Sequence, residues 1–250
     1  MKDKIRRIVM FILVLIIFGC AGYLAWYYLS VPDEEDARQV VEEYTKPDQE
    51  EIDEPVEIPI DFDALQAVNP DVYAWIKIEG THIDYPVVQN ALDGEYYLNH
   101  TWEGAYAESG AIFTQSCNAQ DFSDYNTVIY GHRMGNGNET MFHDLHNYMD
   151  MEYLKEHQEI VIYTRDHVRT YKVFAAVVYD DRLIPASFDF SSKEGRSAFL
   201  ESVYTFDDMR NQLADNVKVS SDDRLITLST CLASEPHHRF LLGAVLIDEK

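Results

Sequence analysis

The sequence is poor in cysteine and in positive charge. Cysteine occurs only at Cys20, Cys117 and Cys231. That is too few for a disulfide framework, and Cys20 lies inside an apolar run, so Cys117 to Cys231 is the one internal bridge available. Twenty Lys and Arg stand against 44 Asp and Glu, a formal net charge of -24. A surface of that sign repels a phosphate backbone, which argues against nucleic-acid binding. It carries no information about fold. There is no Gly-x-Ser-x-Gly elbow, no phosphate-binding glycine loop and no His-Glu-x-x-His. Cys231 has no second cysteine at the redox spacing, which disfavours a thioredoxin role. His143 and His146 lie three apart, and His237-His238 follow Cys231, but neither pair belongs to a Cys or His set at zinc spacing. No metal or cofactor is expected.

What is present falls into three parts. Residues 1–31 hold Lys2, Lys4, Arg6 and Arg7 and then an uncharged run from Ile8 to Val31. Roughly 20 apolar residues at ~1.5 Å each span a bilayer core, so this run is long enough. Trp26, Tyr27 and Tyr28 stand where aromatic rings favour the interface, and the basic flank puts the N-terminus in the cytoplasm and the rest outside. A cleaved signal peptide would have an apolar core of only ~7–15 residues. A lipid-attachment site at Ile17-Phe18-Gly19-Cys20 would not require the run to continue to the aromatic cluster. Residues 32–59 are dominated by Glu and Asp, opposed only by Arg38 and Lys46. Like charges extend such a chain, so it reads as an extracellular stalk.

Residues 60–250 read as the folded domain. Asp61 to Leu65 begins a short helix that stops at Asn69-Pro70. Runs rich in Val, Ile, Tyr and Phe then follow: Val72 to Ile78, Tyr85 to Val88, Ala111 to Thr114, Thr127 to Tyr130, Glu159 to Tyr163, Arg169 to Tyr179, Arg224 to Thr230, and Phe240 to Ile247. That is about eight strands, suited to a small closed or sandwiched β fold. Thr164 to His167 looks like a hairpin loop. Asn138 can cap a helix over Met141 to Met149, and Ser192 to Tyr204 has helical spacing.

Three residues could carry chemistry. Cys231 ends the alternating run Leu225 to Cys231, which puts its thiol at the rim of a sheet, where a substrate could reach it. A lone cysteine is more often a buried small hydrophobe, so position is what singles this one out. His132 follows another apolar strand and a glycine, Gly131, that permits an unusual backbone angle. An imidazole can activate a thiol and later protonate a leaving amine. Arg239 precedes the final strand, so the strand order can set it beside Cys231, where a guanidinium could stabilise an oxyanion.

Thr227-Leu228-Ser229-Thr230-Cys231 followed by Arg239 resembles the signature of the sortase family of Gram-positive bacteria. Asn69 to Ile78, Asp84 to Gln89, Tyr96 to His100 and Asn126 to His132 resemble its class B, and the likeness runs from about Asp61 to the end. The resemblance implies a mainly β fold, an eight-stranded barrel with helices before it, after the transmembrane helix, and an extra helix between the sixth and seventh strands. Ser192 to Tyr204 suits that helix. It implies a cysteine transpeptidase and endopeptidase that cleaves a C-terminal sorting motif after Thr. A thioacyl enzyme then passes the protein to an amine of a cell-wall precursor or a pilin. The family's Cys, His and Arg fall on Cys231, His132 and Arg239, and Tyr130, Ser229 and Asn99 match positions that line the substrate groove.

The chain departs from the class at Thr114 to Asn118, in a shorter Cys231 to Arg239 spacing, and at Ala233. The sorting motif therefore cannot be borrowed. Pilus assembly and a non-catalytic membrane-tethered binding module are the rival functions. The complete Cys, His and Arg set speaks against the second. A papain-like protease would carry its nucleophile at the start of an early helix.

Overall fold

The computed structural model describes Met10, residues 21–23, and residues 58–135, 139–233 and 235–250. The chain divides into two units, Met1–Asp36 and Ala37–Lys250. In the first, Met10 and residues 21–23 are helical. Almost all of the expected membrane span and of the expected stalk lies outside the described residues. Among the described residues no helix is long and apolar enough to cross a membrane.

Among its described residues the second unit has nine strands: β1 (Val72–Lys77), β2 (Asp84–Val88), β3 (Ile112–Thr114), β4 (Asn126–Tyr130), β5 (Glu159–Thr164), β6 (Val168–Asp180), β7 (Gln212–Leu213), β8 (Leu225–Cys231) and β9 (His238–Glu249). Because β5 pairs with both β1 and β6, eight of them close into a barrel in the order β1-β2-β3-β4-β8-β9-β6-β5. Closure leaves no open edge in those eight strands. The ninth, β7, has two residues on the side of β6 and is too short to show periodicity in sequence. The Thr164 to His167 hairpin forms, with the Thr164 N–H donating to the His167 carbonyl at 2.9 Å.

Strand alternation divides the core. Ile76, Val87, Ile129, Ile162, Val178, Ile226 and Leu228 belong to one fully buried cluster. Burying each such side chain contributes roughly 1.5–3 kcal/mol. The alternate face of β4 and β8 is covered as well. There Val128 and Leu225 pack with Phe199, Leu200 and Val203 of a helix. Thr227 and Ser229, which alternate with the apolar residues of β8, are therefore buried rather than solvated, and Thr227 Oγ1 donates to Asn126 Oδ1 at 2.9 Å.

Among the described residues four α-helices accompany the barrel: α1 (Phe62–Val68), α2 (Met151–Glu156), α3 (Ile184–Ser187) and α4 (Lys193–Thr205). Asp61 caps α1 by accepting from the Ala64 N–H at 3.0 Å, and Phe62 and Leu65 bury its inner face. Ser192 caps α4 through the Gly195 N–H, and α4 follows the sixth strand, as expected. One expected helix is corrected. His143–Met149 is a 3-10 helix, and Asn138 lies outside the described residues. Asp150 is extended there and its carboxylate accepts from the Glu152 and Tyr153 N–H groups, so a separate helix, α2, begins after it.

Candidate active site

Register brings the site together. β4 and β8 are parallel, with Tyr130 opposite Ser229, so both strands end at the same rim. β9 runs back antiparallel to β8, and its start meets the end of β8, with Arg239 opposite Cys231. His132 follows β4 by two residues. Cys231, His132, Arg239, Tyr130 and Ser229 all line one cavity of about 300 Å³. Cys231 is exposed while the six residues before it in β8 are buried, as expected of a strand-end thiol.

Gly131 serves a different purpose from the one expected. Its backbone does not adopt a positive φ; among the described residues the glycines that do are Gly80, Gly104 and Gly110. A Cβ at Gly131 would stand 2.5 Å from Ile112 Cδ1 and 2.7 Å from Phe142 Cδ2, so the glycine is needed for space. The Gly131 N–H donates to the Ser229 carbonyl at 3.2 Å, and the His132 carbonyl accepts from the Phe142 N–H at 2.9 Å. These bonds fix the main chain that presents the imidazole.

His132 Nε2 lies 2.7 Å from the Leu98 carbonyl oxygen. A carbonyl only accepts, so Nε2 carries the proton and the neutral ring keeps its lone pair on Nδ1. Arg239 Nη1 donates to the Pro236 and His238 carbonyls, each at 3.0 Å. Among the described residues no carboxylate pairs with Arg239. The Tyr130 ring stacks on Phe113 with centroids 5.4 Å apart, and burial pushes its phenol well above the usual range. His146 stacks on Phe240 at 5.3 Å, and its buried Nε2 makes no hydrogen bond of good geometry. Burial, then the charge of Arg133, pushes the His146 imidazole down to about 4. His143 Nδ1 donates to the Met134 carbonyl, and His146 Nδ1 lies 3.4 Å from the His143 carbonyl.

Asn99 is not among the residues lining the cavity. It is exposed, just past a 3-10 turn at Tyr96–Leu98, and its neighbour Leu98 lines the wall instead. Sequence reasoning also missed Phe113, Gln115, Arg182 and Leu183 of that wall. Leu98 and Leu183 are large apolar side chains left partly exposed, 39% and 46%. They sit on turns too short to have a hydrophobic period, so no sequence signal marked them.

Cys117 and Cys231 are both free, so the available bridge does not form. Cys117 lines a separate cavity with Asn118, Asp124 and Arg196. Partial burial, and then Asp124, push its thiol up. In the departing segment, Gln89 Nε2 donates to Thr114 Oγ1 and to the carbonyls of Gln115 and Asn118, at 2.9, 3.0 and 2.9 Å. Gln89 thus ties the unusual segment to the barrel.

Comparison with known proteins gives a consistent result. The family model described as the Sortase domain matches residues 76–247. Sortase B of Listeria monocytogenes is 34% identical over 192 residues, covering 74% of this chain and 72% of that protein. The structure of Clostridium perfringens sortase B superposes with a TM-score of 0.67 at 30% identity, covering 75% of this chain and all of that one. A Staphylococcus aureus sortase B–substrate complex gives a TM-score of 0.65 at 29% identity, covering 75% and 84%.

Proposed function

The chain belongs to the sortase family, in its class B, and is a cysteine transpeptidase; from that premise we propose that it cuts a sorting motif near a protein's C-terminus after threonine and joins the new end to an amine of a cell-wall precursor. In this reading the Cys231 thiolate attacks the threonine carbonyl carbon and Arg239 stabilises the oxyanion. His132, having taken the Cys231 thiol proton on Nδ1, gives it to the departing amine as the peptide bond breaks, leaving a thioester on Cys231. The acceptor amine then attacks the thioester, a new amide forms, and the thiol is released. The observation that carries the reading is the convergence of Cys231, His132 and Arg239 on one cavity through strand register. The exposed apolar walls at Leu98 and Leu183 suit a peptide substrate, and the Staphylococcus aureus relative has been solved with its substrate.

Residues 1–31 are proposed as cytoplasmic flank and membrane anchor, 32–59 as stalk and 60–250 as an extracellular catalytic domain. The uncharged run between a basic flank and an acidic segment supports this. Protease added to wall-free cells should release the domain by cutting in the stalk; full protection would overturn the orientation.

The chemistry is tested by incubating the protein with a library of sorting peptides and candidate amines and weighing enzyme and products. A thioacyl adduct on Cys231, resolved by an amine and absent from Cys231→Ala, is the expected result. Turnover that survives in Cys231→Ala would sink the mechanism.

A further inference from the structure

The loop between Cys231 and Arg239 is tied down by a residue that does not line the cavity. Arg210 lies between α4 and β7. Its guanidinium donates to both oxygens of Asp208, Nε to Oδ1 at 2.8 Å and Nη2 to Oδ2 at 2.7 Å. It also reaches across to the loop, donating from Nη1 to Glu235 Oε1 at 2.7 Å and from Nη2 to Oε2 at 3.3 Å. Asp208 holds the fork and Glu235 is what the fork grips. A planar guanidinium can bind two carboxylates this way and an ammonium cannot.

Glu235 is linked onward to the site. Its carbonyl accepts from the His238 N–H at 3.0 Å, and its carboxylate lies 3.5 Å from His238 Nδ1. The next carbonyls, of Pro236 and His238, are the two that hold Arg239 Nη1. We infer that Arg210 is a positioning residue for Arg239: by gripping Glu235 it sets the carbonyls that aim the Arg239 guanidinium at the thiol end of β8. This rests on the reading of Arg239 as the oxyanion stabiliser.

The arrangement is poorly explained by stability alone. The Arg210 and Glu235 side chains are 37% and 35% exposed, and pairs of that exposure contribute little to folding. What the pair does fix is the middle of a loop whose ends are already held by the Cys231 to Arg239 pairing and by buried Leu232. Misplacing a reacting group by about 1 Å can cost ~100-fold in rate. With the loop ends intact, a loss of about tenfold is expected.

The test is single-turnover acylation of the full chain on one sorting peptide. Arg210→Ala, Arg210→Lys and Glu235→Gln are measured in the parent and in the Arg239→Ala background, with KM and melting temperature for each. Arg210→Ala should slow acylation about tenfold with KM nearly unchanged, and Arg210→Lys should recover part of the loss. Glu235→Gln should slow it in the same direction. None should slow acylation further once Arg239 is alanine. An Arg210→Ala enzyme as fast as the parent, or an equal loss in both backgrounds, would overturn the positioning role. An Arg239→Ala enzyme as fast as the parent would instead bring down the reading of Arg239, and this inference with it.

Discussion

Cys231 and Arg239 are directly opposed, the closing pair of the β8–β9 ladder. Residues opposed across antiparallel strands have Cβ atoms only ~4.5–5.5 Å apart and share a face of the sheet. A loop shorter than the class pattern therefore does not separate them. Attack by the thiolate puts charge on the substrate carbonyl oxygen, and losing a positioned donor there costs ~100- to 1,000-fold. Arg239→Ala should lose that much in single-turnover acylation, and Arg239→Lys should restore only part. His238→Ala keeps the main-chain carbonyl that holds Arg239 and should stay within a few-fold of the parent. Equal losses in Arg239→Ala and His238→Ala would mean that the stabilising group is misassigned.

Gly131 offers a test of how tightly the histidine segment is held. Adding a Cβ drives it into Ile112 and Phe142, which are buried and cannot swing into solvent. Overpacking of this kind costs ~1–3 kcal/mol. Gly131→Ala should lose about that much in denaturant unfolding. Its kcat should also fall, because His132 is the next residue. Unchanged stability with unchanged kcat would show that the segment yields freely.

How far the sequence foretold this molecule depended on the length of each element. Strands such as Thr127 to Tyr130 and Arg169 to Tyr179 were legible because runs of four or more residues rich in Val, Ile, Tyr and Phe leave a pattern. Their closure was not. Nothing local in Glu159–Thr164 says that it pairs with β1 as well as β6; the strand count left a closed and a sandwiched fold open, and the family resemblance pointed to the barrel. The face of β8 that carries Thr227 and Ser229 is buried because α4 and its neighbours cover it. Cys231, His132 and Arg239 were singled out from strand ends, and all three line one cavity. Leu98 and Leu183 line the cavity unmarked by any pattern and Asn99 does not line it, because short turns decide which side chain faces the cavity. Arg210 was invisible because its partner Glu235 is 25 residues away.

Cys117 should be dispensable. It lines a different cavity from Cys231, and its thiol is pushed up, so at neutral pH it carries less thiolate than an ordinary cysteine. Cys117→Ser should keep parental acylation rates. Limited alkylation of the parent should inactivate in step with labelling of Cys231, as read by peptide mass. Inactivation that follows Cys117 labelling would assign that thiol a part in turnover.

His146 makes stability depend on pH. Burial and the charge of Arg133 lower its imidazole from the ordinary 6.5 to about 4. The unfolded chain thus takes up a proton near 6.5 that the folded chain refuses until about 4. Stability from this group is therefore fully present above 6.5 and is lost as pH falls from 6.5 towards 4. Carboxylates held low, such as Asp208 at about 2, lose their contribution at lower pH and in the same direction, so the parent alone cannot separate the two. His146→Phe keeps a ring to stack on Phe240 but cannot titrate. Melting temperatures of parent and variant should differ by a constant amount above pH 7, and the difference should shift in favour of the variant between pH 6.5 and 4. A difference that stays constant down to pH 4 would mean that His146 is protonated as easily in the folded protein as in the unfolded chain, and that its buried Nε2 is open to solvent.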